Sequence, residues 1–208
     1  MSAQVEMTNP VDTSVGGMKG HILRRAIHLG MVLIPFVYFE FGENVADLFN
    51  ATLDQLVAGF VLLLVAVEGL RLRLGITVFG QRAYESKQIS ALAWGGLAIC
   101  MVLLLTPEEA YAWPLIVSLA LGDPFMGELR RKGVSDRNVM VYATGLILAI
   151  WLASTYVHGT PLLISILLPV VCMASEWPRL TYIDDNATMI LIPLTLVLLL
   201  EPFFSVMP

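Results

Sequence analysis

Charge is scarce in this chain. Only 14% of its 208 residues are Asp, Glu, Lys or Arg, while 57% are hydrophobic. A soluble domain of this size carries about 25% charged residues, so the composition excludes an ordinary soluble globule. The net charge of −5 excludes the basic surface that a nucleic-acid partner selects. Cysteine is nearly absent too. Cys100 and Cys172 fall inside apolar runs without metal-ligand spacing, which leaves them as packing residues. Lysine is absent from every apolar run: Lys19, Lys87 and Lys132 lie outside them, which excludes a retinal-type Schiff base inside a membrane span. There is no GxxxxGK[ST] loop, no HExxH and no GxSxG. There is also no internal repeat of the transporter kind, and the acidic residues gather at one edge of the spans rather than at the bilayer midplane. The first eighteen residues lack a basic stretch followed by an apolar core, so no signal peptide is read there. Residues 1–20 read as a flexible cytoplasmic tail and 21–208 as a single helical membrane domain.

What is present is apolar sequence in span-sized blocks. Seven runs, 26–41, 55–72, 89–106, 110–127, 139–157, 160–176 and 187–206, approach the roughly 20 residues that cross a bilayer core. Lipid offers the backbone no hydrogen-bond partner, so each span must be a helix. The expected fold is all-α: a polytopic integral membrane protein of about seven transmembrane helices. Cytoplasmic loops collect Lys and Arg, and here all twelve Lys and Arg residues fall in the tail and in alternate connections. The opposite connections carry only acids: Glu43, Asp47, Asp54, Glu108 and Glu109. This predicts a cytoplasmic N-terminus.

Five stretches on the basic side carry polar groups. In LLLVAVEGLRLRLG, Glu68 and Arg71 stand three apart on a helix and can pair. The pair is either a local anchor or a means for Glu68 to orient another group. In RRAIHLG, Arg24 and Arg25 satisfy the charge rule, and His28 reads as structural. ESKQISALAWGG places Glu85 before a helix start, where the dipole favours it, and Gly95-Gly96 where helices pack closely. LALGDPFMGELRRKG runs a span into Asp123-Pro124. Proline disfavours helical geometry at the preceding residue, so a break or kink is expected there, with Asp123 as a metal ligand. Arg130, Arg131 and Lys132 follow. Cations close to a carboxylate suit a metal–nucleotide site. Finally, ASEWPRLTYIDDNATMILIP sets Glu176, Asp184, Asp185 and Asn186 between two apolar runs. One of Asp185 and Asn186 is accounted for as an N-cap, but capping does not explain all four.

RRAIHLG, EGLRLRLG with ESKQISALAWGG, LALGDPFMGELRRKG and SEWPRLTYIDDNATMILIP, in this order, resemble the CTP-dependent lipid kinases. That family includes dolichol or polyprenol kinase, phytol kinase and the CTP-using diacylglycerol kinase. The resemblance covers the chain from about residue 21, and this chain looks like a minimal prokaryotic or archaeal member. The most specific matches are the GD pair with Asp123 and the Glu176…Asp185-Asn186 pattern. The resemblance implies transfer of the γ-phosphate of CTP to the hydroxyl of a membrane isoprenoid alcohol. It implies Mg²⁺ on Asp123 and Asp185, and nucleotide phosphates on Arg130, Arg131, Lys132 and Asn186. Glu176 or Glu85 would orient or deprotonate the acceptor. The implied active site faces the cytoplasm from within the cell membrane, among membrane lipids. Val134-Ser135 and Asn138 depart from the Lys-Ser-Xaa-Xaa-Gly segment common in the family. The alternatives are a cytidylyltransferase acting on a lipid phosphate, whose long signature is missing here, and a non-catalytic lipid-binding or transport protein.

Overall fold

The computed structural model describes residues 11, 14–106, 108–176, 180 and 182–204. Among them the chain is helical, with one isolated bridge between Ser14 and Arg82 and no strand. The helices are α1 (Gly17–Gly30), α2 (Leu33–Leu48), α3 (Leu53–Leu74), α4 (Ala91–Leu105), α5 (Glu109–Arg131), α6 (Asp136–His158), α7 (Leu162–Glu176) and α8 (Asp185–Phe204). A short 3₁₀ helix, Ala83–Lys87, lies between α3 and α4.

Among the described residues, helix covers the body of every apolar run, but 26–41 is not one helix. It breaks at Met31–Val32, and α1 meets α2 at 50°. Short-range bonds mark the break: the N–H of Met31 donates to His28, that of Val32 to Leu29 and that of Ile34 to Met31. These are 3₁₀-type contacts where the α pattern lapses.

The helices α3, α6 and α8 are each long and apolar enough to cross a membrane, and the bent α1–α2 pair qualifies as a fourth. The apolar α4 and α7 have 15 residues each, about 22 Å of helix against a hydrocarbon core of about 30 Å. The long α5 carries Glu109, Asp123, Glu128, Arg130 and Arg131 and packs against α1, α2, α6 and α8. Only 6% of the apolar window of α3 is buried, against 44% for α8. The first is therefore peripheral and the second central. Leu115, Ile116, Leu119, Ile147, Trp151, Leu168 and Ile190 form the middle of the core. The two cysteines are free and buried, in keeping with packing roles.

Two local expectations are corrected. The first is the break at Asp123-Pro124: α5 continues through Pro124 to Arg131. Proline removes one backbone donor, but the tight packing of α5 at Gly122, Pro124 and Met126 carries the helix past it. The second is the free tail up to residue 20. Val15 donates its N–H to the Gln81 carbonyl at 2.8 Å and accepts from Gly80 at 3.0 Å, and α1 starts at Gly17. A Cβ at Gly20 would fall 2.1 Å from the Val15 carbonyl oxygen, so only glycine allows this crossing. Residues 1–10, 12 and 13 of that tail, and Arg179 of the basic set, lie outside the described residues.

Candidate active site

His21, Arg24, Arg25 and His28 recur on α1 at the spacing of one helical face. That face looks onto the C-terminal third of α5. Together with Arg82, Asp123, Pro124 and Gly127 it lines a pocket of about 450 Å³, counting its open side.

Each cation in the pocket is held. Arg24 places Nη1 3.0 Å from Oε1 of Glu85. Arg25 donates Nε to His21 Nε2 at 2.8 Å and Nη1 to the Pro124 carbonyl. Gly127 makes room for it, since a Cβ there would lie 2.8 Å from Arg25 Nη2. Arg82 donates to the Tyr84 hydroxyl at 2.6 Å. Tyr84, Asp185 and Asp184 outweigh the burial of Arg82 and push its pKa up. His21 must be neutral to accept from Arg25, and burial together with the Arg25 charge holds its pKa below the ordinary value. Asp123 Oδ2 stands 3.5 Å from His28 Nδ1.

The loop before α4 is fastened from α3. Arg71 grips Glu68 with two bonds of 2.9 and 2.7 Å, and donates to the carbonyls of Ile76, Glu85 and Gln88. Glu68 also accepts from the Ser90 N–H at 2.6 Å. Glu68 thus pairs with Arg71, and the pair reaches the loop that carries Glu85. Glu85 is 1% exposed. Its Oε1 takes Arg24 and the Arg82 N–H, and its Oε2 is buried without a partner. It is placed to hold Arg24.

Asp184 stands just before the start of α8. Asn186 donates its N–H to Asp184 Oδ1 at 3.1 Å, while Ala187 and Thr188 donate to the Asp184 carbonyl. The Asn186 N–H also reaches Asp185 Oδ1 at 3.1 Å, so Asp184 and Asp185 share the capping of α8. The burial of Asp184 and the adjacent Asp185 charge push its pKa well above the ordinary carboxylate range. Asp185 acts electrostatically on His28 and Arg82, and Arg24 acts on Asp184. Asn186, 1% exposed, ties α8 to α4 through the Ala91 carbonyl at 3.3 Å, leaving its Oδ1 unpartnered.

The expected site residues divide into two groups. Asp123, Asp185, Asn186, Glu85 and Glu176 surround one polar end of the bundle. Glu176 pairs with Arg130 at 2.8 Å, and its buried Oε2 has no partner. Arg130 also approaches Asp136, the first residue of α6, at 3.9 Å. Arg131 and Lys132 turn away, to Glu128 at 2.5 and 4.0 Å, and Lys132 is 65% exposed. The cations lining the pocket are instead Arg24, Arg25 and Arg82. Sequence reading assigned these to topology because hydropathy counts charge without showing its direction. The i, i+3, i+4, i+7 spacing of His21, Arg24, Arg25 and His28 was the available signal.

Among the described residues, no three His, Cys, Asp or Glu side chains converge tightly enough to hold a metal by themselves. Mg²⁺ usually takes one or two carboxylates together with waters and substrate phosphates. The Oδ1 of Asn186 is buried without a partner. Comparison with family models, with curated proteins and with solved structures finds no match to this chain.

Proposed function

We propose that the protein is a membrane phosphotransferase. It moves the γ-phosphate of CTP to the hydroxyl of an isoprenoid alcohol of the dolichol or polyprenol type. The observation that carries this reading is the pocket in which Arg24, Arg25 and Arg82 surround Asp123 at one end of an apolar bundle. Three guanidinium groups beside a carboxylate suit a polyphosphate that arrives with a divalent cation. Phosphoryl transfer asks chiefly for positioning and charge neutralisation. CTP as the donor and an isoprenoid alcohol as the acceptor come from the sequence resemblance.

In this reading, seven spans place the N-terminus and the pocket at the cytoplasmic face, where the nucleotide is available. Asp123 and Asp185 would hold Mg²⁺, which supplies charge neutralisation between the phosphates. Arg24, Arg25 and Arg82 bind the triphosphate, and Arg130 adds positive charge beside Glu176. Glu176 accepts the proton of the acceptor hydroxyl through its unpartnered oxygen. Glu85 positions Arg24.

The test is label transfer by purified protein in micelles with Mg²⁺. The acceptors are a polyprenol, a phytol-like alcohol, diacylglycerol and phosphatidate, and CTP is labelled at the γ or the α phosphate. Label from the γ position in an alcohol is expected. Label only from the α position, in phosphatidate, would make the protein a cytidylyltransferase. No transfer by folded protein would favour lipid binding or transport. Asp123→Asn should lower kcat by about 10²–10³, the cost of removing one group that stabilises transition-state charge.

A further inference from the structure

Two hollows share one face of α5. Pro124 and Gly127 line the polar pocket. Val117 and Trp113, seven and eleven residues before Pro124, line a second hollow of about 550 Å³, counting its open side. The helical period puts all four residues on one stripe. The bent α1–α2 pair faces that stripe: His28 lines the polar pocket, and Val32, one turn further on and past the break, lines the second hollow. The floor on α6 includes Ala153 and Val157, which are exposed. The second hollow is therefore an open groove between α2, α5 and α6. It begins about 10 Å along α5 from Pro124 and follows α6 for about 12 Å, from Ile150 to His158.

Its chemistry differs from that of the pocket above it. The lining is apolar except for Ser154 and His158. The far end is plugged by a polar group: the His158 ring stacks on Trp113 at 5.3 Å, with its Nδ1 2.9 Å from Glu109. The charged pocket and the apolar groove thus lie along a single face of α5, on either side of the α1–α2 break.

We propose that this groove holds the apolar chain of the acceptor alcohol, so that the chain lies along Val117 and Ala153 while the hydroxyl reaches Asp123. The inference rests on the phosphotransferase reading and adds the place and the shape of the acceptor site. The break at Met31–Val32 divides headgroup from tail. Longer chains leave through the open side or stop against Trp113 and His158.

The test uses full-length protein in micelles and a polyisoprenoid alcohol carrying a photoreactive group on its second isoprene unit, with the adducts mapped by mass spectrometry. Adducts on 113–117 or 150–158 are expected. Ala153→Trp, which fills an exposed position and so preserves the fold, should abolish them while CTP affinity stays at the wild-type value. In turnover, Ala153→Trp should raise KM for a long-chain acceptor about tenfold, the equivalent of one or two buried methylenes, and leave KM for a short water-soluble alcohol unchanged. Adducts confined to other helices would overturn the proposal, as would adducts displaced equally by phosphatidylcholine, which mark a groove for bulk lipid. The cross-linking outcome does not depend on catalysis. Groove adducts without phosphate transfer would overturn the kinase reading alone, and transfer without groove adducts would overturn the groove alone.

Discussion

Arg24 and Glu85 cannot be changed independently. The carboxylate is almost fully buried, and the guanidinium 3.0 Å away is its charge partner. Removing one member of a buried pair typically costs about 3–5 kcal/mol, because the other charge is left uncompensated. Arg24→Ala should therefore lower both thermal stability and CTP affinity. Arg24→Ala with Glu85→Leu should recover much of the stability but none of the affinity, and thermal unfolding with nucleotide titration on both variants checks this. His21 gives a pH signature. Its folded pKa lies below the ordinary 6.5, so between the two values the unfolded chain binds more protons and stability rises with pH. The melting temperature should fall as pH drops through about 6.5 towards the folded pKa and level off below it. His21→Asn, which keeps an acceptor without titrating there, should flatten that part of the profile. A wild-type profile that is flat over this window would remove the role of His21 as the neutral acceptor for Arg25.

At the scale of elements, the pocket depends on a loop that has little core of its own. Residues 76–90 are held largely through Arg71, whose planar fork serves Glu68 and three carbonyls together. Lysine cannot reproduce that set. Arg71→Lys should lower the melting temperature and weaken CTP binding about tenfold or more by loosening Glu85 and with it Arg24, since 1.4 kcal/mol is a factor of ten. Unchanged nucleotide affinity in Arg71→Lys would show that the loop holds its shape without the fork. Sequence reading placed the helices well here, because apolar runs bounded by charge are a strong signal. It missed the division of 26–41 because the residues on both sides of Met31–Val32 are equally apolar, and periodicity does not register a change of direction. It expected a break at Pro124 because local backbone preference is visible in sequence and the packing that overrides it is not. Arg131 and Lys132 were read as ligands from proximity to Asp123 in sequence. Their i, i+3 and i, i+4 relation to Glu128 decides their orientation instead.

For the whole molecule, the two ends differ chemically. One gathers the arginines and the pocket. At the other, Glu43 and Asp54 lie near Tyr38, Glu108 near Glu201, and Glu109 beside His158. If seven spans carry this asymmetry across a membrane, cysteines placed at the exposed Asp47 and Lys132 should react from opposite sides. Lys132→Cys should label only from the cytoplasm and Asp47→Cys only from outside. Cys100 and Cys172 are buried, so neither should contribute. Labelling of both from one side would require a different threading of the chain.

The bend between α1 and α2 also bears on depth. A straight helix would present one continuous surface to anything moving along it. A helix turned by 50° marks the point at which the polar pocket, lined by His28, gives way to the apolar hollow, lined by Val32. If the protein is the phosphotransferase proposed above and the bent pair spans a membrane, that point acts as a ruler: a bilayer of altered thickness would shift the height of a lipid hydroxyl relative to Asp123, and turnover would follow membrane thickness with nucleotide affinity unchanged.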